Sequence, residues 1–274
     1  MLRTRFWTVV LLSLFTWPAL AGSIFVSGHD PVWHANFGGN AAGAANLANT
    51  AISFARDGSV LPFLFVESKN VAVPAGNAHE APFLTSALGF GAGDFDVVDA
   101  ADLSALGDFR AALNSYSAIV VASDHGGMLS AAELSFLNAH SADIIDYINA
   151  GGGVAAFAES DARGLIGATP RFGFLPFLVS STDFGAAELN NIVTPFGASL
   201  GLVNGDVNGN FSHNLFSVTP GMEMVDLFNG DPTKPLSLAF RGRITPEGPV
   251  PEPATLLLLG MGLLGLAARR RTSG

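Results

Sequence analysis

A chain of 274 residues with 49% hydrophobic content and a mean hydropathy of +0.41 is more apolar than a soluble domain of this length needs, and the excess sits at its two ends. Between those ends, residues 22–249 hold eight of the 13 basic and 22 of the 23 acidic residues, a formal charge of −14, which excludes nucleic acid as a partner. Cysteine is absent, so the fold must rest on its core without disulfides.

Two arginines in Met1–Arg5 precede the apolar run Phe6–Phe15, and Ala19-Leu20-Ala21 follows as a small-x-small site. About ten apolar residues with that flank and that site suit a secretory signal rather than a spanning helix of ~20. Residues 1–21 are therefore expected to be a signal peptide removed by signal peptidase, with the mature chain starting near Gly22; an uncleaved N-terminal anchor is the alternative reading.

The body, residues 22–244, alternates short apolar runs with helical patterns. Ser23–Ser27 is the first strand candidate, and the alanine-rich Asn40–Arg56 is a helix with Leu47, Ala51 and Phe54 on one face. Leu61–Val66 and Phe95–Asp99 read as strands. Ala118–Ala122 is apolar without alternation, as expected of a parallel strand covered on both faces. Ser130 and Glu133 form a capping box that opens a helix over 130–150, and Gly151-Gly152-Gly153 closes it before the strand Val154–Ala158. The fold class predicted is α/β, a doubly wound, mostly parallel sheet. Beyond residue 170 the pattern weakens: Phe172–Val179 is apolar with an internal proline, 204–214 reads as an Asn/Gly loop, and Met222–Phe228 and Leu236–Phe240 read as late strands.

Residues 245–253 read as a proline-bearing linker. The apolar run Ala254–Ala268 follows, then Arg269-Arg270-Arg271. Fifteen helical residues rise about 22 Å, short of a ~30 Å hydrocarbon core, and counting back to Val250 approaches spanning length. The arginines should stay cytoplasmic. Residues 254–271 are thus expected to be a transmembrane helix that anchors the body outside the inner membrane.

Val250-Pro251-Glu252-Pro253, the apolar run and Arg269, Arg270 and Arg271 together resemble the PEP-CTERM sorting signal of Gram-negative bacteria. The resemblance implies recognition and cleavage by an exosortase, release to the cell surface or extracellular matrix, and a host that makes exopolysaccharide. Tyr116 to Gly127, the capped helix and Gly151–Val154 resemble the class I glutamine-amidotransferase-like fold, a flavodoxin-like arrangement. The region where that family places its nucleophile reads Phe157-Ala158-Glu159-Ser160, without cysteine, so cysteine amidotransferase activity is excluded.

In an open α/β sheet, ligands gather beyond the carboxyl ends of the strands. Three such ends carry ionisable groups: His29, Asp30 and the nearby His34; Asp124 and His125 after Ser123; and Glu159 before Ser160 and Asp161. Imidazole and carboxylate together suit a divalent metal or acid–base work. These six residues, His29 to Glu159, are expected to share one cleft; polar caps where the chain meets water are the ordinary alternative. Ser160, with His125 or His213 as base, lacks the Gly-x-Ser-x-Gly spacing of a nucleophile elbow. Asp206–Asn210 lacks the glycine and glutamate of a calcium loop, and Gly38–Gly43 lacks the lysine of a phosphate loop. Two functions stay open: a non-catalytic surface domain that binds a ligand or a matrix component such as exopolysaccharide, which the missing nucleophile favours, and an envelope hydrolase, with or without a metal, acting on carbohydrate or peptide.

Overall fold

The computed structural model describes residues 22–69, 81–124, 129–160, 170–175, 179–245 and 248–251. The expected signal peptide 1–21, His125 and the expected transmembrane helix 254–271 lie outside them. Among the described residues, no helix is long and apolar enough to cross a membrane.

Five parallel strands build the first half of a nine-stranded sheet. They are β1 (Gly22–Ser27), β2 (Phe63–Val66), β3 (Phe95–Val98), β4 (Ala118–Val121) and β5 (Gly153–Ala156), ordered β3-β2-β4-β5-β1. β2 to β5 follow the 2-1-3-4 part of the flavodoxin order, while the N-terminal strand takes the place of that fold's fifth.

Helices cover both faces. α1 (Pro31–Phe37) and α2 (Ala41–Arg56) follow β1. Asn40 caps α2 by accepting from the Gly43 amide at 3.0 Å, and the helix buries Leu47, Ala51 and Phe54 against Phe25, Phe63 and Phe65. On the opposite face lie α3 (Ala100–Ala105), α4 (Phe109–Ala112), α5 (Ala131–Ala139) and α6 (Ser141–Asn149). Their Leu103, Leu134, Leu137, Ile144 and Ile148 meet Ile24, Val26, Val66 and Val121. Alternate residues of each strand thus enter separate cores, and each large side chain so buried contributes roughly 1.5–3 kcal/mol.

The helix expected over 130–150 is divided at His140, whose ring stacks on Phe136 while its Nδ1 bonds Asp143 at 2.8 Å. Its start and end agree with the sequence. Ser130 and Glu133 form the capping box, and Gly151 takes φ +100°, a left-handed conformation that glycine adopts without strain.

The last third departs most from expectation. β10 (Pro235–Thr245) pairs antiparallel with β1 from Gly22 to Ser27 and makes β1 an interior strand. β9 (Glu223–Leu227) and the short β7 (Ile192–Val193) extend the sheet beyond it, with α7 (Pro195–Ser199) packed alongside. A separate two-stranded sheet joins β6 (Ser181–Ala187) to β8 (Phe211–Phe216), so the stretch expected as an Asn/Gly loop ends as a strand. The segment expected as linker also begins as a strand: β11 (Gly248–Pro251) folds back on β10.

β5 and α2 approach closely at Gly153, where an added Cβ would overlap the Ala55 carbonyl. Gly153→Ala is expected to cost about 1–3 kcal/mol by overpacking, whereas Gly93→Ala, with open space around it, should stay within about 0.5 kcal/mol. Urea denaturation of both variants checks this; an unchanged midpoint in Gly153→Ala would contradict the packing.

Candidate functional site

β1 delivers His29 and Asp30 to the carboxyl edge, and their side chains serve different networks. His29 is 3% exposed. Its Nδ1 bonds the Glu188 carboxylate, just beyond β6, and its Nε2 bonds Asp226 of β9 at 2.7 Å. Burial alone would push the imidazole down. The charges of Glu188 and Asp226, with their two hydrogen bonds, outweigh it and raise the His29 pKa well above the ordinary value. Glu188 is likewise resisted by burial but held below its usual range by the His29 charge and by the hydrogen bonds from His29 and Ser212, whose Oγ lies at 2.8 Å. His29 is therefore an imidazolium shared by two carboxylates.

Asp30, equally buried, caps α1: its Oδ1 accepts from the Trp33 amide at 3.2 Å and from Ser123 Oγ at 2.6 Å. The second bond reaches across the end of β5 to the end of β4. Oδ2 points toward His213 of β8, whose Nε2 lies 4.0 Å away, beyond hydrogen-bond length. His34, half-buried in the last turn of α1, completes the group. Its Nδ1 faces the Gly38 carbonyl at 3.1 Å. A carbonyl only accepts, so Nδ1 carries the proton and the Nε2 lone pair is turned inward. That Nε2 is buried with no hydrogen-bond partner among the described residues. One donor atom each from Asp30, His34 and His213 lies within 4.8 Å of the others. Beside them is a cavity of about 10 Å³ lined by His29, Asp30, His34, Glu188, Asp206 and Asn210 among others, the volume that holds one water-sized guest.

Asp124 and Glu159 form a second group on the same edge. Asp124 Oδ1 accepts from the Ser160 amide at 2.9 Å, and Glu159 accepts from the Phe172 amide. Burial drives the Glu159 pKa well above its ordinary value. The Phe172 amide opposes that rise, the Asp124 charge adds to it and Arg171 counters it. Glu67, at the end of β2, is fully buried on this edge as well.

Of the six residues expected in one cleft, His29, Asp30 and His34 line the small cavity, while Asp124 and Glu159 lie in the neighbouring group and His125 is outside the described residues. The Asn/Gly loop belongs to the surroundings of the cavity: Asp206 bonds the Val203 amide and Asn46, each at 2.8 Å, and Asn210 accepts from the Asn40 amide at 2.7 Å. Sequence reasoning weighed His213 only as a base for Ser160 and passed over Glu188, Ser212 and Asp226. No local signal marked them: Ser212-His213-Asn214 is a polar run that reads as a loop, although the structure buries it.

Residues 249–271 match the model of the PEP-CTERM protein-sorting motif, and no curated protein matches the chain. The motif marks an exported protein with a C-terminal sorting signal and implies exosortase as its processing partner.

Because native Glu159 holds its proton to higher pH than the unfolded chain does, the native state binds more protons above the ordinary value of 4.5. Stability is then fullest below that value and falls as pH rises through the native pKa. Glu159→Gln keeps an acceptor for Phe172 but cannot ionise. Urea denaturation from pH 4 to 8 should show the variant gaining on wild type as pH rises; parallel profiles would contradict a protonated Glu159.

Proposed function

We propose that this chain is an exported surface protein of an exopolysaccharide-producing Gram-negative bacterium, held at the inner membrane by its C-terminal segment until exosortase releases it. In this reading the α/β domain is a non-catalytic binding module for a ligand or matrix component such as exopolysaccharide, with its site at the carboxyl edge around Asp30.

The observation that carries the reading is the sorting motif at 249–271, beginning within the hairpin of β10 and β11. A cargo domain tied into its own sheet directly before the signal suits display rather than loose tethering. Supporting a binding role, the edge carboxylates are engaged in the fold: Asp30 caps a helix and Asp124 holds the backbone after β5. A second reading, metal-assisted hydrolysis at the envelope, is favoured by the donor set of Asp30, His34 and His213.

Intact-mass measurement on the native surface fraction tests the delivery route. The expected species begins near Gly22 and lacks Arg269–Arg271. A mass that retains both Met1 and the arginine cluster would overturn it.

A further inference from the structure

We infer that Asp30, His34 and His213 form a mononuclear binding site for a divalent first-row transition ion, with coordination positions left open to the small cavity beside them. This goes beyond both readings of the domain by naming what the carboxyl edge takes up, and it holds for either. It does not depend on the sorting route, which is tested separately by mass.

The donors are two imidazole nitrogens and one carboxylate oxygen, a set suited to zinc or iron(II) rather than to the all-oxygen shells of calcium and magnesium. Around a tetrahedral ion with bonds near 2.1 Å, donor atoms stand about 3.3–3.5 Å apart. The present spread, up to 4.8 Å, closes with small side-chain rotations.

The surroundings are those a metal site requires. His34 donates Nδ1–H to the Gly38 carbonyl, which fixes the tautomer that leaves Nε2 as ligand. Asp30 Oδ1 is held by Ser123 and by the Trp33 amide, which leaves Oδ2 directed at His213. His213 sits on a strand whose amide bonds the Gly28 carbonyl at 2.8 Å, so its position is tied to the strand that carries Asp30. Gly28 allows that crossing, since a Cβ there would overlap the Asn214 carbonyl. Elsewhere, hydrogen bonds satisfy the paired imidazoles. His140 has Asp143, and His29 has two carboxylates. His34 Nε2, by contrast, is buried with no hydrogen-bond partner among the described residues, and a ring nitrogen of His34 lies within 4.8 Å of an Asp30 carboxylate oxygen and a His213 nitrogen, an arrangement that a cation completes. Glu188, lining the same cavity, adds negative charge nearby.

The test is zinc binding by the full chain in detergent, freed of metal by chelator, with cobalt(II) as a second probe for its visible spectrum. Wild type is expected to take up one zinc per chain and to give a cobalt spectrum characteristic of nitrogen and oxygen ligation. His34→Ala, at a half-exposed position that leaves the core intact, should weaken zinc binding more than about 10-fold, at least the effect of losing an outer partner of a ligand. His213→Ala should do the same and change the cobalt spectrum, with circular dichroism confirming the fold. His140→Ala, remote from the site, should bind as wild type does. Failure of the folded wild-type chain to take up zinc, or a loss smaller than about 10-fold in His34→Ala, overturns the assignment.

Discussion

The carboxyl edge of this sheet is organised by one buried ion, the imidazolium of His29 between Glu188 and Asp226. Three elements far apart in sequence meet there: the end of β1, the residue after β6, and β9. A buried charge arrangement of this kind adds little net stability relative to a well-packed apolar substitute, but removing one partner leaves a charge stranded in the interior. Its main effect is to specify how the last third of the chain docks. No other register of β9 brings Asp226 to His29, and Ser212 reaches Glu188 only where β8 bridges the backbone at His29.

From that clamp the rest of the edge follows by contact. β8 crosses at Gly28, and Asn214 grips the Glu159 peptide from both sides, accepting from its amide at 2.8 Å and donating to its carbonyl at 3.1 Å. One residue earlier on the same strand, His213 is carried to Asp30. Asp30 in turn is bound through Ser123 to the end of β4. Asp30 at the N-cap of α1, His34 within α1 and His213 on β8 thus stand on regular elements and not on a loose surface loop, the condition under which small-ligand geometry is kept. The sorting signal leaves from the hairpin of β10 and β11, and β10 is the direct neighbour of β1.

The parallel half of the fold was legible in sequence because its signals are local. Short apolar runs, the Ser130–Glu133 capping box and Gly151 at a left-handed position each report on a few adjacent residues. The antiparallel half was not, and the reason lies in β8. Its inward side chains are Ser212, His213 and Asn214, so the alternation that betrays a half-buried strand is replaced by a polar run that reads as a loop. The site was half legible for the same reason. Asp30 and His34 stand at a strand end and could be nominated, whereas the placement of His213 depends on a contact across more than 180 positions of chain. His29, nominated for the cleft, spends both ring nitrogens on Glu188 and Asp226, carboxylates that no local pattern connects to it.

The most direct measurement of this account is a double-mutant cycle in urea between His29→Gln and Asp226→Asn. A clamp that ties β9 to the chain just beyond β1 predicts non-additive losses, with a coupling of at least about 1 kcal/mol. Losses that add within about 0.5 kcal/mol would show the two residues acting independently and would contradict the clamp.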